Sequence, residues 1–439
     1  MIEPLLKKLK SKRAVVGVVG LGYVGLPLVH LFASKGFRVL GFDIDEAKTR
    51  KLNQGRSYIL SIPSERTRDL VEQGRLEATS DLGRLSEPDA LIICVPTPLT
   101  EDRRPDLSYI KKTGEAIGRR LRKGQLVCLE STTYPGTTRE VLLPELATSK
   151  LRVGRDFFLA FSPEREDPGN KKFTQESIPK VVGGFDPQSH RAACALYGSV
   201  LQTVVPVSSC EVAESAKLLE NIYRSVNIAT INELKMLFDR MKIDIWEVIR
   251  AASTKPFGFQ PFTPGPGWGG HCIPIDPFYL SWKAKEFNFN ARFIELAGEV
   301  NTQMPFYVLS KLEDGLKQQK KSIKGARILV LGIAYKKDID DPRESPAFPF
   351  IEILLEKGAR VSYSDPLVPS LPRMRHYPGH DWKSVALSPE SLKSFSAAVI
   401  ITDHSAFDYA QIVKHSRLVI DTRNATRDVP HRASKVISA

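Results

Sequence analysis

Ala14-Val15-Val16-Gly17-Val18-Val19-Gly20-Leu21-Gly22-Tyr23-Val24-Gly25 is the stretch that decides the fold. Its first seven residues are a short apolar run, β-branched at four valines, and read as a buried strand. A helix is expected over residues 24–35, followed by a second strand over Arg38–Phe42. Gly20, Gly22 and Gly25 then fall at the first turn of a β-α-β unit, and Asp43 ends the second strand, 18 residues past Gly25. The spacing has a physical reading. One glycine makes the tight turn, one lets a pyrophosphate approach the backbone, and one lets helix and strand pack closely. The acid meets ribose hydroxyls. Tyr23 and Val24 lie inside this turn. Asp43 favours NAD over NADP, because a carboxylate repels a 2′-phosphate.

Outward from that turn, strand-like runs recur at 90–95, 126–130, 157–161 and 180–182, with helical stretches between several of them. The alternation predicts an open, mostly parallel α/β sheet to about residue 205. From Glu211 to Asp239 there is neither Gly nor Pro. Val212, Ala216, Leu219, Tyr223, Val226 and Thr230 recur at three- to four-residue steps, which predicts one long amphipathic helix. Further helices are expected at Ile245–Ala252 and near 291–316. A strand pattern restarts at 323–333, with a helix at 346–357, a strand at Arg360–Ser364 ending on Asp365, and strands at 397–401 and 418–420. This part echoes the first, but its turn, Gly332-Ile333-Ala334-Tyr335, lacks the full glycine pattern and should not hold a second dinucleotide in the same way. The expected class is α/β, with two Rossmann-like domains joined by a helical middle domain with one long helix. The expected domains are 1–205, 206–310 and 311–439.

The composition is that of a globular protein: 439 residues, 42% hydrophobic and 26% charged. The longest apolar runs are strand-sized and too short to span a bilayer. The basic N-terminus, residues 1–13, has no apolar core after it and reads as a solvated tail rather than a signal peptide. Five scattered cysteines without metal-ligand spacing suggest free thiols in a reducing, cytoplasmic setting, and the eight histidines show no such spacing either, so no metal is expected. The net charge of +13 is spread along the chain without a nucleic-acid motif. A nucleic-acid partner is therefore not expected, and a phosphate-bearing ligand accounts for part of the charge.

Residues 264–277 read Pro-Gly-Pro-Gly-Trp-Gly-Gly-His-Cys-Ile-Pro-Ile-Asp-Pro. Glycines let backbone amides approach a ligand and prolines stiffen the loop, so Cys272 reads either as a nucleophile in a preformed pocket or as an inert buried thiol. Asp276 follows four residues later, and His271 is placed to influence the thiol. Lys217 and Asn221 are four apart on the long helix and share a face, close to its apolar stripe. Ser131-Thr132-Thr133 and Ser162-Pro163-Glu164-Arg165 follow strand ends, where open α/β sheets bind ligands. Glu164 is a candidate acid or base there.

Taken in order, Gly20–Gly25, Pro96-Thr97-Pro98, Glu130-Ser131-Thr132, Ser162-Pro163-Glu164, Lys217 with Asn221, Gly269-Gly270-His271-Cys272 with Asp276, and Tyr335-Lys336-Lys337-Asp338 with Arg343-Glu344-Ser345 resemble the UDP-glucose/GDP-mannose dehydrogenase family over nearly the whole chain. The resemblance implies oxidation of a sugar hydroxymethyl group to a carboxylate with two NAD per turnover. It makes Cys272 the nucleophile, Lys217 the stabiliser of an oxyanion with Asn221 hydrogen-bonding nearby, Asp276 an aid to water or proton transfer, and Thr132 and Glu164 the groups that position water and act in thioester hydrolysis. For NAD it implies Gly20, Gly22, Tyr23, Val24, Gly25, Asp43, Lys48, Thr97, Thr132 and Arg343. For the UDP-sugar it implies Glu164, Arg165, Lys217, Asn221, the loop of Phe262, Gly265 and Gly267, Tyr335, Lys336 and Arg423.

Pro163-Glu164-Arg165 with Asp167-Pro168-Gly169, and Asp340-Asp341-Pro342-Arg343-Glu344-Ser345-Pro346, resemble the N-acetylhexosamine branch. The expected substrate is UDP-N-acetylglucosamine, with UDP-N-acetylmannosamine, UDP-glucose or a non-catalytic nucleotide-sugar binder as alternatives. Arg165 either contacts the sugar's acyl side or bonds within the protein. Glu166 and Trp268 depart from the common pattern of the branch. A homodimer built on the 211–239 helix is expected.

Overall fold

β1 (Val15–Val19) is the centre from which the first sheet grows. It pairs in parallel with β2 (Arg38–Phe42) on one side and with β4 (Ala90–Ile93) on the other. β3 (Leu76–Thr79) lies outside β2. Beyond β4 come β5 (Leu126–Leu129), β6 (Phe158–Phe161), β7 (Lys180–Gly184) and β8 (Val204–Val207), in the order β3-β2-β1-β4-β5-β6-β7-β8. Every pairing is parallel except that of β6 with β7. The strand order reverses at β1, so the crevice at its carboxyl end, beside Gly20, is the ligand position this topology favours. The computed structural model describes residues 2–59, 62–100, 104–165, 174–270, 272–372, 382–430 and 435–439. His271, Glu166 and Asp167-Pro168-Gly169, singled out from the sequence, lie outside the described residues.

A second sheet holds β9 (Arg327–Leu331), β10 (Arg360–Ser364), β11 (Ala397–Ile400), β12 (Val419–Asp421) and β13 (Val436–Ser438), in the order β10-β9-β11-β12-β13, all parallel. Its first three strands repeat the β2-β1-β4 arrangement. The chain divides into two compact units, Met1–Glu220 with Phe278–Phe289, and Asn221–Pro277 with Asn290–Ala439. The division falls inside the helix Cys210–Arg240.

β3, β8 and β13 are strands the apolar runs do not announce. All three lie at sheet edges, where one face or more stays wet and the continuous apolar signal of a central strand is lost. β8 even carries Pro206, which an edge strand tolerates.

Three expectations need correction. The N-terminal segment is no solvated tail: it forms the helix Ile2–Lys10, with Ile2, Leu5 and Leu9 buried. They join the core of the first unit beside Ala192, Ala193 and Leu196. Their spacing places them on one helix face, and each buried side chain contributes about 1.5–3 kcal/mol. Lys8 crosses to Asp89 at 2.8 Å.

The long helix forms as expected and its apolar stripe faces outward, but Lys217 and Asn221 do not lie close to that stripe. Val212, Leu219 and Tyr223 are exposed, Leu219 by 68%. The buried side is Cys210, Ala213, Glu214, Leu218, Asn221, Ser225, Ala229 and Asn232. Lys217 and Asn221 therefore lie away from the stripe, on the polar-rich side that the protein itself covers.

Asp276 is not a loop residue. It opens the helix Asp276–Ala284, with Pro277 in the first turn, where a missing N–H costs nothing. The glycines and prolines before it conceal this start.

Candidate active site

At the first turn the three glycines do different work. Gly20 has φ +93°, and a Cβ there would stand 2.7 Å from the carbonyl oxygen of Cys94. A Cβ on Gly25 would overlap the carbonyl oxygen of Gly20. Gly22 has nothing within 4 Å of its would-be Cβ, so its backbone borders open space. The helix Gly25–Ser34 has no side-chain cap, and the positive end of its dipole faces the turn. Asp43 is buried at the end of β2. It accepts hydrogen bonds from the N–H groups of Leu21 and Asp45, both at 3.0 Å, and from Lys48 at 3.3 Å. Tyr23 is half exposed beside the turn, and Val24 packs on the core. An open glycine facing an uncapped helix start, with a carboxylate at the next strand end, fits a dinucleotide. Gly20, Gly22, Gly25 and Asp43 would hold it.

The same unit gathers other predicted residues at the ends of β4, β5 and β6. Thr97 donates from its hydroxyl to the Thr132 carbonyl at 2.7 Å. Lys217 donates to the Thr132 hydroxyl at 2.5 Å. Tyr279 donates to the Thr97 carbonyl. Glu164 is buried; its Oε2 accepts from Lys180 at 3.0 Å and its Oε1 from the N–H of Arg165 at 2.8 Å. Burial pushes the Glu164 pKa up, but the Lys180 ammonium and these hydrogen bonds outweigh it, and the net shift is downward. Arg165 bonds within the protein, to Glu220 at 2.6 Å and to the Pro179 carbonyl at 2.9 Å.

In the second unit the thiol loop is tied to the helix that follows it. The N–H groups of Ile275 and Asp276 donate to the Cys272 carbonyl at 3.1 and 2.8 Å. The Asp276 carboxylate, buried, accepts from Asn221 at 2.5 Å, and Asn221 in turn accepts from Arg224. Cys272 is half-buried. Cys94, Cys128 and Cys210 are buried, and burial pushes all three thiols up, Cys128 to about 12. Among the cysteines, then, Cys272 joins partial exposure to a stiff, glycine-lined setting.

That loop lies on the predicted substrate residues. The N–H of Gly265 donates to Asn232 at 3.0 Å, and a Cβ on Gly265 would press into the guanidinium of Arg423. Gly267 has φ +127° and Gly270 φ +86°, and a Cβ on Gly270 would meet the Tyr335 ring at 2.9 Å. The N–H of Gly270 donates to the Glu344 carbonyl at 3.1 Å. Phe262 meets Tyr223 edge-on, with ring centroids 5.9 Å apart. Lys336, half-buried, follows Tyr335 on the same segment. Arg423 is half-buried; desolvation lowers its pKa, and it donates to the Ile401 carbonyl at 3.0 Å. Arg343 makes a two-pronged pair with Asp341, at 2.8 and 2.6 Å.

The counterpart of Asp43 in this unit is Asp365. Its Oδ2 accepts from the N–H groups of Ile333 and Ala334, and its Oδ1 from those of Leu367 and Val368. His404 adds a 3.0 Å bond to Oδ2. The carboxylate is fully engaged inside the protein. Among the described residues no group of three or more His, Cys, Asp or Glu could hold a metal ion. Nor, among them, is any helix long and apolar enough to cross a membrane.

Sequence reasoning missed Lys180, Tyr279 and Glu214. Glu214 accepts from the N–H groups of Gly136 and Thr138 at 2.6 and 2.9 Å and so fixes the segment after Thr132 to the long helix. Lys180 carried a usable signal: a lysine opening a run read as a buried strand needs a buried anion.

One open glycine turn with an acid at the next strand end, and a second, closed copy of the same half-sheet, define a Rossmann-type α/β protein. The chain matches the NAD binding domain of the UDP-glucose/GDP-mannose dehydrogenase family over residues 14–201. It matches that family's central domain over 211–303 and its UDP binding domain over 329–428. The chain belongs to this family. Its cofactor is NAD, and it is an NAD-dependent UDP-sugar dehydrogenase.

A UDP-N-acetyl-D-glucosamine 6-dehydrogenase of Pseudomonas aeruginosa is 37% identical over 394 residues, 89% of this chain and 91% of the relative. An NDP-N-acetyl-D-galactosaminuronic acid dehydrogenase of Ralstonia nicotianae is 35% identical, over 93% of this chain and 95% of the relative. The solved structure of a UDP-D-ManNAc dehydrogenase from Pyrococcus horikoshii superposes with a TM-score of 0.86 at 32% identity, covering 97% of this chain and 98% of its own.

Proposed function

We propose that this protein oxidises carbon 6 of UDP-N-acetylglucosamine to the carboxylate, with Cys272 as the covalent nucleophile. The observation that carries the mechanism is the Cys272 turn: a half-buried thiol on a glycine-lined loop, fixed by the Asp276 N–H on its carbonyl. NAD, when bound, would supply the hydride acceptor for each of the two oxidations. The Cys272 thiolate adds to the carbon-6 aldehyde left by the first oxidation, giving a thiohemiacetal. Loss of the second hydride gives a thioester, and water releases the acid and the thiol.

Lys217, with its ammonium already bound to Thr132, stabilises the oxyanion, and Asn221 holds Asp276 in place as a hydrogen-bonding group near the thiol. Glu164, ionised and buried, takes a proton from the attacking water, which Thr132 helps to position. Gly20, Gly22, Tyr23, Val24, Gly25, Asp43, Lys48, Thr97 and Arg343 serve the cofactor; Arg343 must first leave Asp341. Arg165, Phe262, Gly265, Gly267, Tyr335, Lys336 and Arg423 serve the UDP-sugar. In this reading residues 1–205 take NAD, 311–439 take the UDP-sugar, and 206–310 carry the nucleophile and a homodimer contact along the exposed stripe Val212, Leu219 and Tyr223. The enzyme works in the cytoplasm, where its thiol stays reduced.

The choice of sugar rests on the Pro163-Glu164-Arg165 and Asp340–Pro346 segments and on the 37% identity to the P. aeruginosa relative. NADH formation with UDP-N-acetylglucosamine, UDP-N-acetylmannosamine, UDP-N-acetylgalactosamine and UDP-glucose, tested separately, checks it. Two NADH per sugar and an acid product by mass spectrometry are expected with the first. Preferred turnover of another sugar overturns the assignment. Cys272→Ala should lose acid formation and keep NAD binding, and normal uronate production by that variant would refute the covalent route. A monomeric mass by light scattering would reject the dimer.

A further inference from the structure

Behind Glu164 the first unit buries more charge than the mechanism uses. Lys180 Nζ lies 2.8 Å from Glu130 Oε2 and 3.0 Å from Glu164 Oε2. The side chains are 0% exposed for Glu130, 7% for Lys180 and 10% for Glu164. Glu130 Oε1 accepts from the Tyr197 hydroxyl at 2.5 Å, and that hydroxyl also lies 3.2 Å from Cys128 Sγ. Lys180 stands 5.4 Å from the centre of the Tyr197 ring. Two carboxylates thus share one ammonium in a buried site built by β5, β7 and the helix Pro187–Gly198.

A structural ion pair needs only one partner of each sign. A second carboxylate adds desolvation cost and repulsion, which a purely structural design has no reason to keep. We propose that Lys180 and Glu130 together set the proton affinity of Glu164. Lys180 holds it ionised, and Glu130 draws away part of the ammonium's field, so that Glu164 remains basic enough to take a proton from water. The role rests on the reading of Glu164 as the hydrolytic base, and it makes Lys180 and Glu130 positioning residues.

The physical logic has two sides. A carboxyl this buried, left alone, would hold its proton at neutral pH and could not act as a base. The same carboxyl paired with an unshared ammonium would be too weak a base. Sharing the ammonium places Glu164 between these limits. The other groups around the cluster are Lys217 from the long helix, the Arg165 N–H, Cys94 at the end of β4, Tyr197 and Cys128. Burial raises Cys94, Cys128 and Tyr197, so they stay neutral and add no charge. Glu130 lies above the usual carboxylate range, with burial the largest cause, and Glu164 lies below it.

The test reads Glu164 directly, in the full-length protein and without substrate. Glutamate labelled with carbon-13 at the carboxyl is titrated by NMR, and the Glu164 signal is identified by its loss in Glu164→Gln. Lys180→Met should raise the proton affinity of Glu164 by about tenfold or more, the effect of removing an adjacent opposite charge. Glu130→Gln should lower it. Lys180→Arg should leave it close to wild type. Shifts in the same direction, or an unmoved signal, overturn the proposal. If Lys180→Met does not fold, the near-isosteric Glu130→Gln decides alone: no shift, or an upward one, refutes it. The acid limb of kcat against pH separates this from the reading beneath it. Opposite NMR shifts with an acid limb that survives Glu164→Gln would keep the charge-sharing and remove Glu164 as the base.

Discussion

The turn after β1 and the turn after β9 start from the same half-sheet and end as opposites. After β1 the chain reaches a helix within six residues, and Gly25 opens that helix without a side-chain cap. After β9, residues 332–346 intervene before the helix Ala347–Glu356. The acid at the end of the next strand differs in the same sense. Asp43 accepts two backbone N–H groups and a half-exposed lysine at the edge of an open crevice. Asp365 accepts four backbone N–H groups and His404, wholly inside the protein. One acid borders an open turn, and the other has become the pin of its own loop. The fold supplies the strand end, and a few side chains decide whether it is a site.

The strongest way to break the contrast is Gly25→Val. Its Cβ would overlap the Gly20 carbonyl oxygen, so helix and turn must part. NAD binding should be lost, with about 1–3 kcal/mol of overpacking cost to the first unit. Isothermal titration with NAD checks this, and near-normal affinity would show that the turn does not depend on that approach.

Asp365→Asn should act on stability alone. An amide has one acceptor oxygen for five donors, so a loss of about 2–3 kcal/mol is expected, with NAD affinity unchanged. Burial pushes the Asp365 pKa up, but the His404 hydrogen bond and charge and the backbone N–H groups pull harder, and the net shift is downward. A carboxyl lowered on folding stabilises the protein above its unfolded value of about 3.9, and that stability disappears as the pH falls through the lower folded value. Thermal unfolding of the wild type should therefore decline below about pH 4 more steeply than that of Asp365→Asn. Parallel curves would contradict the assignment.

Asp43→Asn is the mildest change. The protein should fold normally, NAD should bind about tenfold more weakly, and NADP should gain relative to NAD. Competition between the two cofactors in a turnover assay measures it. An unchanged preference would mean that Asp43 serves only Leu21 and Asp45.

Much of this was legible beforehand, for identifiable reasons. β1, β2 and β4 are continuous apolar runs because both faces of a central parallel strand are buried. Gly20, Gly22, Gly25 and Asp43 were legible because their spacing follows from backbone geometry. The edge strands β3, β8 and β13 were not, since partial exposure erases that signal. Lys217 and Asn221 were read as lying close to the apolar stripe because periodicity shows that two faces differ, without showing which of them the chain covers. Here the covered face is rich in Glu214, Asn221, Ser225 and Asn232, whose hydrogen bonds no pattern of apolar residues reveals. Lys180 and Glu130 are 50 residues apart and meet only through the β5-β6-β7 order, a long-range pairing no local motif could display.

The burial of Cys94, Cys128 and Cys210 also makes the protein chemically addressable. A sparing dose of an alkylating reagent finds three of its five thiols closed, so adducts should appear on the Cys272 and Cys194 peptides. Cys194, on a helix of the first unit with His190 3.6 Å from its sulfur, becomes an internal reference for reagent access. The ratio of the two adducts then reports access to Cys272 without a turnover assay.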